Sequence, residues 1–321
     1  MRSKIINYQT ILALVLVILV VVFGLLEPVF FYPDVLFDVT AIIGEIGIMA
    51  LAMTFIITTG GIDLSVGYML QLSGIVFGVI YTSTGNLGWA IFIALLTGLA
   101  CGVFNGLVIV KTKIPPIIAT LATMNLFRGI SFIIAGTDSY SGFPSNFKTA
   151  FTYEIFDVIP ISFFYLLVLF FLFHIAYSRG KMGRTLKGIG FNESSLIFSG
   201  INTKKAIFIS YALSGLMSGF AALVYLGRLS AARTSMGDGL NLQVITAVVL
   251  GGTSTMGGVG SVFGTFIGVL IIGVLRKGYT LLNFSGNIFN FTLGVLLLAS
   301  LVVFAILEKR EMHKKVAPED S

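Results

Sequence analysis

Long apolar stretches separated by short polar breaks occupy almost the whole chain. A helix that crosses a membrane needs about 20 apolar residues, within a range of about 17–25. The candidate spans are 10–26, 40–59, 64–83, 87–110, 115–136, 160–178, 205–228, 242–257, 261–276 and 287–307, of which the eighth and ninth are short. The pattern predicts an all-α polytopic membrane protein of about ten transmembrane helices, some short or discontinuous, forming a single domain over 1–321.

Composition supports a membrane location. Hydrophobic residues make up 56% of the chain and charged residues 11%, whereas soluble domains carry about 25% charged residues. The N-terminus resembles a signal peptide, but no A-x-A-like cleavage site follows it, which favours a retained first span. No basic stripe interleaved with exposed aromatics indicates nucleic-acid binding. The single cysteine, Cys101, and the widely separated His174 and His313 do not form a metal-ligand pattern.

The distribution of Lys and Arg predicts the orientation. With ten spans and a cytosolic N-terminus, 14 of the 20 Lys and Arg residues fall in cytosolic segments. Those segments are Arg2 to Lys4, Lys111 to Lys113, the loop 179–205 and the tail 308–321. The outer segments 27–39 and 137–159 are mostly acidic. This asymmetry follows the positive-inside rule, so we expect both termini to be cytosolic.

The loop 179–205 is the largest predicted cytosolic segment, and it contains signals for a short helix at about 193–199. Asn192 is a plausible N-cap, Glu193 suits the first turn, and Gly200 can end the helix. Its apolar residues are Leu196, Ile197 and Phe198. Such a helix either binds in the groove of a cytosolic partner or lies at the lipid headgroups.

Four stretches resemble the permease subunit of ribose-type ABC importers, the branch that also serves other monosaccharides and autoinducer-2. They are TTGGIDLSVGYMLQLSG (58–74), KIPPIIATLATMNLFRG (113–129), GRTLKGIGFNESSLIFSGI (183–201) and AVVLGGTSTMGGVGSVFGTFIGVLIIGVLRKG (247–278). The resemblance covers nearly the whole chain apart from the first span and the tail. It implies a permease for a sugar or sugar-like solute in the cell membrane, which is the inner membrane in a Gram-negative source.

The same resemblance implies the partners. Two permeases pair in the membrane, as a homodimer or a heterodimer, two cytosolic ABC ATPases dock beneath them, and an extracytoplasmic solute-binding protein delivers the substrate. The stretch 183–201 resembles the segment that couples permease to ATPase, and we call it the coupling segment. The chain has no G-x-x-x-x-G-K-[ST] phosphate loop. We therefore expect no catalytic residue or cofactor in this chain, with ATP and magnesium bound by the ATPase.

Polar residues within the spans are candidates for the translocation path. Ionisable groups are costly there and are functional hypotheses by default. Glu45 and Arg128 have compatible depths, so we predict that they pair or face one polar cavity. That pair either fixes helix packing or lines the sugar path. Asn105 and Asn125 either bind sugar hydroxyls or form helix–helix hydrogen bonds.

Four basic residues run against the positive-inside trend at the outer boundary: Arg228, Arg233, Arg276 and Lys277. We interpret them as docking contacts for the acidic surface of a binding protein, or alternatively as side chains that reach the interface from helix ends.

Two glycine-rich segments have the same spacing of glycines. We call GGIDLSVG (60–67) the first glycine break and GGTSTMGG (251–258) the second; each has a glycine pair and a glycine seven residues after the first. The shared spacing suggests an internal duplication of the chain, with parallel or inverted halves. Interrupted apolar segments in two halves point to a transport site. Asp63 therefore either caps the next helix or serves as a path or gate residue.

The alternatives within ABC systems are permeases for nucleosides or branched-chain amino acids. An ion-coupled secondary transporter is less favoured, because the spans hold almost no carboxylate beyond Glu45 and Asp63.

Overall fold

Helices dominate the computed structural model, which describes the backbone of residues 2–316 and the side chains of residues 8–302. In chain order the α-helices are α1 Arg2–Leu26, α2 Pro33–Ile42, α3 Gly44–Thr58, α4 Val66–Thr84, α5 Leu87–Thr112, α6 Pro116–Ala135, α7 Ser145–Thr152, α8 Ile161–Ser178, α9 Lys181–Phe198, α10 Thr203–Leu229, α11 Leu240–Leu250, α12 Val262–Leu281 and α13 Gly286–Val316. A 3-10 helix covers Pro28–Phe31.

Four two-residue strands form two small antiparallel ladders. They are β1 Tyr140–Ser141, β2 Glu154–Ile155, β3 Ile159–Pro160 and β4 Ala231–Ala232. Tyr140 pairs with Ala232, and Glu154 pairs with Pro160. The β1–β4 ladder ties the long segment after α6 to the segment after α10, at the end of the bundle opposite α9.

Seven described helices are long and apolar enough to cross a membrane, or eight if the bent pair α2 and α3 is one span. The bend between α2 and α3 is 47°. The sequence predicted ten spans, and the difference lies in the last third of the chain. The predicted span 242–257 is the 11-residue helix α11, which at 1.5 Å per residue is far shorter than a bilayer core of about 30 Å. The described apolar part of α13 covers Gly286–Val302.

The helix α3 lies at the centre of the bundle. All 15 of its residues are buried, and its neighbours include α8, α10, α11 and α12. Its sequence is apolar on all sides, which is typical of a helix surrounded by protein. The single carboxylate that it carries, Glu45, is therefore fully enclosed.

Helices α5 and α10 pack backbone to backbone. A Cβ added at Gly98 would lie 2.5 Å from the carbonyl oxygen of Gly215, and one added at Gly102 would collide with the carbonyl of Tyr211. The four-residue spacing of Gly98, Gly102 and Gly106 thus gives α5 a face of small residues that another helix approaches closely. Close approach places the polar side chains of α10 beside those of α5.

The predicted outer segment 137–159 packs onto α4 through aromatic rings. Phe147 stacks on Phe77 and Phe143 meets it edge-to-face, with ring centroids 4.8 and 5.1 Å away. All three rings are buried. The segment therefore forms a fixed cover at that end of the bundle.

The predicted tail 308–321 lies outside the described side chains. The orientation of both termini stays a prediction from charge.

Candidate translocation path and coupling segment

Asp63 lies in the first glycine break and is fully buried. Its carboxylate accepts hydrogen bonds from the backbone N–H and the hydroxyl of Ser65, at 2.9 and 2.7 Å. The side-chain amide of Asn105, on α5, donates to the Ser65 hydroxyl at 2.8 Å. Ser214, on α10, donates to the second carboxylate oxygen at 3.4 Å. One polar cluster thus joins the start of α4 to α5 and α10.

The helix cap predicted for Asp63 is displaced. Helix α4 begins at Val66, and Ser65 is the residue before it. The Asp63 carboxylate binds Ser65 rather than the amides of the first helical turn. The reason is the turn at 64–65, which places Asp63 two residues before the N-cap, Ser65. Asp63 therefore organises the turn that leads into the helix.

Two buried oxygen atoms near this cluster have no hydrogen-bond partner among the described residues. They are the side-chain carbonyl oxygen of Asn105 and the hydroxyl of Tyr211. The Tyr211 hydroxyl would lie 2.7 Å from a Cβ added at Gly61, in the same break. Buried polar atoms usually have partners, so unpartnered ones call for an explanation. A role of these two residues in a translocation path stays a prediction.

The structure corrects the predicted pair of Glu45 and Arg128. Glu45 forms its ion pair with Arg228, on the last turn of α10. Depth along the spans made Glu45 and Arg128 compatible, but α3 packs closely against α10 and not against α6. One Glu45 oxygen and the Arg228 Nε atom stay without a partner among the described side chains.

Arg128 instead belongs to a cation–π group in the C-terminal half of α6, the half predicted to face the outside. Its guanidinium lies 5.6 Å from the ring centre of Tyr68 and 5.9 Å from that of Phe132. The Tyr68 hydroxyl donates to Asp238 at 3.0 Å. Sequence reasoning missed Tyr68 and Asp238. The sequence signal for Asp238 was the stretch SMGDG (235–239), which is polar, contains glycine and precedes a short apolar segment.

Asn125 does not join these groups. It is exposed, and its amide donates to the carbonyl of Leu121 in its own helix at 3.0 Å. Among the described residues it makes no hydrogen bond to Asn105, which is buried in the Asp63 cluster. A role for Asn125 in the path stays a prediction.

The four basic residues predicted for docking have different surroundings. Arg228 pairs with Glu45, Arg276 donates to Gln243 at 3.4 Å, and Lys277 pairs with Asp38 at 2.8 Å. Arg233 is exposed and donates to the hydroxyl of Ser139 at 3.3 Å. Docking by this set stays a prediction, and Arg233 presents its guanidinium most openly to a partner.

The coupling segment contains the predicted short helix. The backbone leaves the helical conformation at Asn192, whose side chain accepts a hydrogen bond from the Ser195 N–H at 3.1 Å. Gly200 has φ +76°, as a helix-terminating glycine requires. The cap and the stop signal are therefore confirmed. We call residues 193–198 the coupling helix.

The sequence missed the first half of α9, residues 181–191. That half is basic and glycine-rich, and both features weaken a helix prediction. Lys187 lies over the Tyr177 ring, with 4.3 Å between its Nζ atom and the ring centre. Burial lowers the pKa of Lys187 below its ordinary value.

The coupling helix has an exposed apolar surface. Phe198 is 91% exposed and Ile197 is 56% exposed. Glu193 is also exposed, while Leu196 is partly buried. The structure thus presents two of the three predicted apolar residues openly at the α9 end of the bundle.

Comparison with known proteins agrees with this architecture. A family model described as branched-chain amino acid transport system / permease component matches residues 35–301. The ribose import permease protein RbsC of Bacillus subtilis is 36% identical over 289 residues, 90% of each chain. The autoinducer 2 import system permease protein LsrD of Escherichia coli K12 is 32% identical over 314 residues, covering 96% of this chain and 95% of its own. No solved structure matches the chain.

The family match spans α3, the Asp63 cluster, the coupling segment and both glycine breaks. Seven helices long enough to cross a bilayer make the chain a multi-pass protein of the cell membrane. The chain belongs to the family of membrane permease components described as branched-chain amino acid transport system / permease component.

Proposed function

We propose that the chain is the permease of a binding-protein-dependent ABC importer and forms the translocation path for ribose, another monosaccharide or autoinducer-2. The observation that carries this proposal is the 36% identity to a ribose import permease over 90% of both chains. The 32% identity to an autoinducer 2 permease over nearly the full length supports the same solute class. These similarities favour a sugar-type solute over nucleosides and amino acids.

The polar groups of the bundle suit a neutral, hydroxyl-rich solute. The Asp63 cluster offers the unpartnered oxygens of Asn105 and Tyr211. Arg128, with Tyr68 and Asp238, lies at the predicted outer end. A solute that enters from outside meets the Arg128 group first and the Asp63 cluster afterwards. Glu45 acts through helix packing, because its ion pair with Arg228 is enclosed.

ATP drives transport from a separate subunit in this proposal. The exposed Ile197 and Phe198 of the coupling helix contact a cytosolic ABC ATPase, which binds ATP and magnesium. A second permease subunit completes the membrane part. A solute-binding protein docks at the opposite end, where Arg233 is exposed.

Reconstitution tests the proposal. The purified complex of permease, cognate ATPase and cognate binding protein is placed in liposomes with internal ATP. The binding protein is first screened against pentoses, hexoses, 6-deoxyhexoses, autoinducer-2, nucleosides and branched-chain amino acids. We expect ATP-dependent uptake of a sugar or autoinducer-2. Uptake driven by an ion gradient without the ATPase would overturn the proposal, and selective uptake of a nucleoside or amino acid would overturn the solute class.

A further inference from the structure

The two glycine breaks and the coupling segment meet at one point, where their backbones touch directly. The N–H of Gly258, in the second break, donates to the carbonyl of Thr58 at the end of α3, at 2.8 Å. A Cβ added at Gly257 would lie 2.8 Å from the backbone nitrogen of Gly60, in the first break. The same Cβ would lie 2.8 Å from the Cα atom of Gly190, in α9.

Gly190 is the point at which α9 enters this contact. A Cβ at Gly190 would collide with the Gly258 nitrogen and the Thr58 carbonyl oxygen, the donor and acceptor of the hydrogen bond that joins the second break to the end of α3. The neighbouring Phe191 ring lies 2.8 Å from a Cβ built on Gly258. We call Gly60, Gly190, Gly257 and Gly258 the glycine junction.

The junction requires glycine for two separate reasons. Gly60, Gly257 and Gly258 have φ values of +83°, +86° and +79°, which residues with a Cβ adopt only with strain. Gly190 lies inside a helix, where glycine is unfavourable by about 1 kcal/mol relative to alanine. Its presence there is explained by the direct approach of two other backbones.

Backbone-to-backbone contact transmits displacement efficiently. A contact between long side chains absorbs a small movement by a change of rotamer, but close-packed backbone atoms have no such freedom. The chain changes direction at Asn192, two residues after Gly190. Phe191 and Gly190 therefore form the direct structural connection between the coupling helix and both breaks. The first break continues at once to Asp63, and the second leads through Ser261 into α12.

We propose that Gly190 is a positioning residue that transmits movement of the coupling helix to both glycine breaks at once, and so couples ATP hydrolysis to opening of the path. The inference rests on the proposed function and deepens it. It gives adjacent parts of α9 separate roles. Residues 193–198 bind the ATPase, and Gly190 transmits the movement of the coupling helix to the glycine breaks.

The experiment compares Gly190→Ala with Gly294→Ala in the reconstituted complex. Nothing lies within 4 Å of a Cβ added at Gly294, in α13, so this variant is the matched control: a helical glycine outside the coupling segment. Uptake of radiolabelled ribose, with autoinducer-2 as second probe, and release of phosphate are measured together. We expect Gly190→Ala to retain ATPase association and to lose about tenfold or more in solute transported per ATP, since overpacking a filled contact is costly. Gly294→Ala keeps the wild-type ratio.

A second variant covers the case in which Gly190→Ala does not fold, as judged by thermal unfolding and size-exclusion chromatography. Phe191 is 63% exposed, so Phe191→Ala folds, and we expect it to lower the same ratio by weakening the contact with Gly258. A wild-type ratio in folded Gly190→Ala, or in Phe191→Ala, would overturn the inference and leave the proposed function intact. Failure of the wild-type complex to take up ribose, autoinducer-2 or any other sugar of the binding-protein screen with ATP would overturn both.

Discussion

At the scale of single residues, the ion pair of Glu45 shows that depth along a span does not identify the partner of a charged residue. Arg128 and Arg228 are both compatible with Glu45 along the membrane normal, and only the packing of α3 against α10 selects Arg228. We expect Glu45→Gln and Arg228→Gln to be coupled in a double-mutant cycle by about 0.5–3 kcal/mol, as is typical of residues in contact. Thermal unfolding in detergent measures the coupling.

The matched control for that cycle is Glu45→Gln with Arg128→Gln. These two changes should add within about 0.5 kcal/mol, because Arg128 stacks on Tyr68 and Phe132 instead. Equal coupling energies in the two cycles would contradict the pairing.

Asp63 allows a second prediction at this scale. Its role in the turn needs an acceptor for the Ser65 N–H and hydroxyl, and an asparagine side-chain oxygen provides one. Asp63→Asn should therefore unfold near the wild-type temperature. Asp63→Ala leaves both Ser65 donors unsatisfied in a buried site and should lose about 1–3 kcal/mol. Similar unfolding temperatures for the two variants would exclude the turn role, while transport by folded Asp63→Asn reports separately on a path role.

At the scale of elements, the coupling segment shows which signals the sequence carries. Asn192 and Gly200 are local start and stop signals, and local chemistry predicted the coupling helix between them. The preceding half of α9 forms because it packs against α8 and the glycine junction. Such tertiary contacts override weak helix propensity. They cannot be predicted from the local sequence pattern.

The two parts of α9 also predict distinct mutational effects. Phe198 is almost fully exposed, so Phe198→Ala should change the free energy of unfolding by no more than about 0.5 kcal/mol. It should weaken association with the ATPase, because a large apolar contact is removed from the docking surface. Co-purification and thermal unfolding measure the two quantities. Undiminished co-purification would indicate that the ATPase binds elsewhere.

Packing of α5 against α10 provides the other prediction about elements. Gly102→Ala places a methyl group against the carbonyl of Tyr211 and should cost about 1–3 kcal/mol, the usual range for overpacking. Gly129→Ala is the matched control, since nothing lies within 4 Å of a Cβ at that helical position. Equal unfolding temperatures for the two variants would mean that α5 and α10 separate easily.

At the scale of the whole molecule, the sequence predicted the class of protein better than its count of spans. Apolar length identified the ten regions that became helices, but one of them, α11, has only 11 residues and falls short of a full crossing. Apolar composition cannot distinguish a helix that meets lipid from one enclosed by protein, and α11 has most of its residues buried. The contact of both glycine breaks with Gly190 could not be predicted from the sequence either, because it joins segments far apart in the chain.

Orientation is the last whole-molecule property, and it follows from charge alone. The positive-inside rule places the α9 end in the cytosol, so Ser199→Cys should react with a membrane-impermeant thiol reagent only in inverted vesicles. Tyr153→Cys, in the exposed part of the opposite end, should react in intact spheroplasts. The wild type is the matched control, because its single cysteine, Cys101, is buried between helices. Reaction of Ser199→Cys in intact spheroplasts would reverse the orientation, and with it the assignment of α9 to the ATPase and of Arg233 to the binding protein.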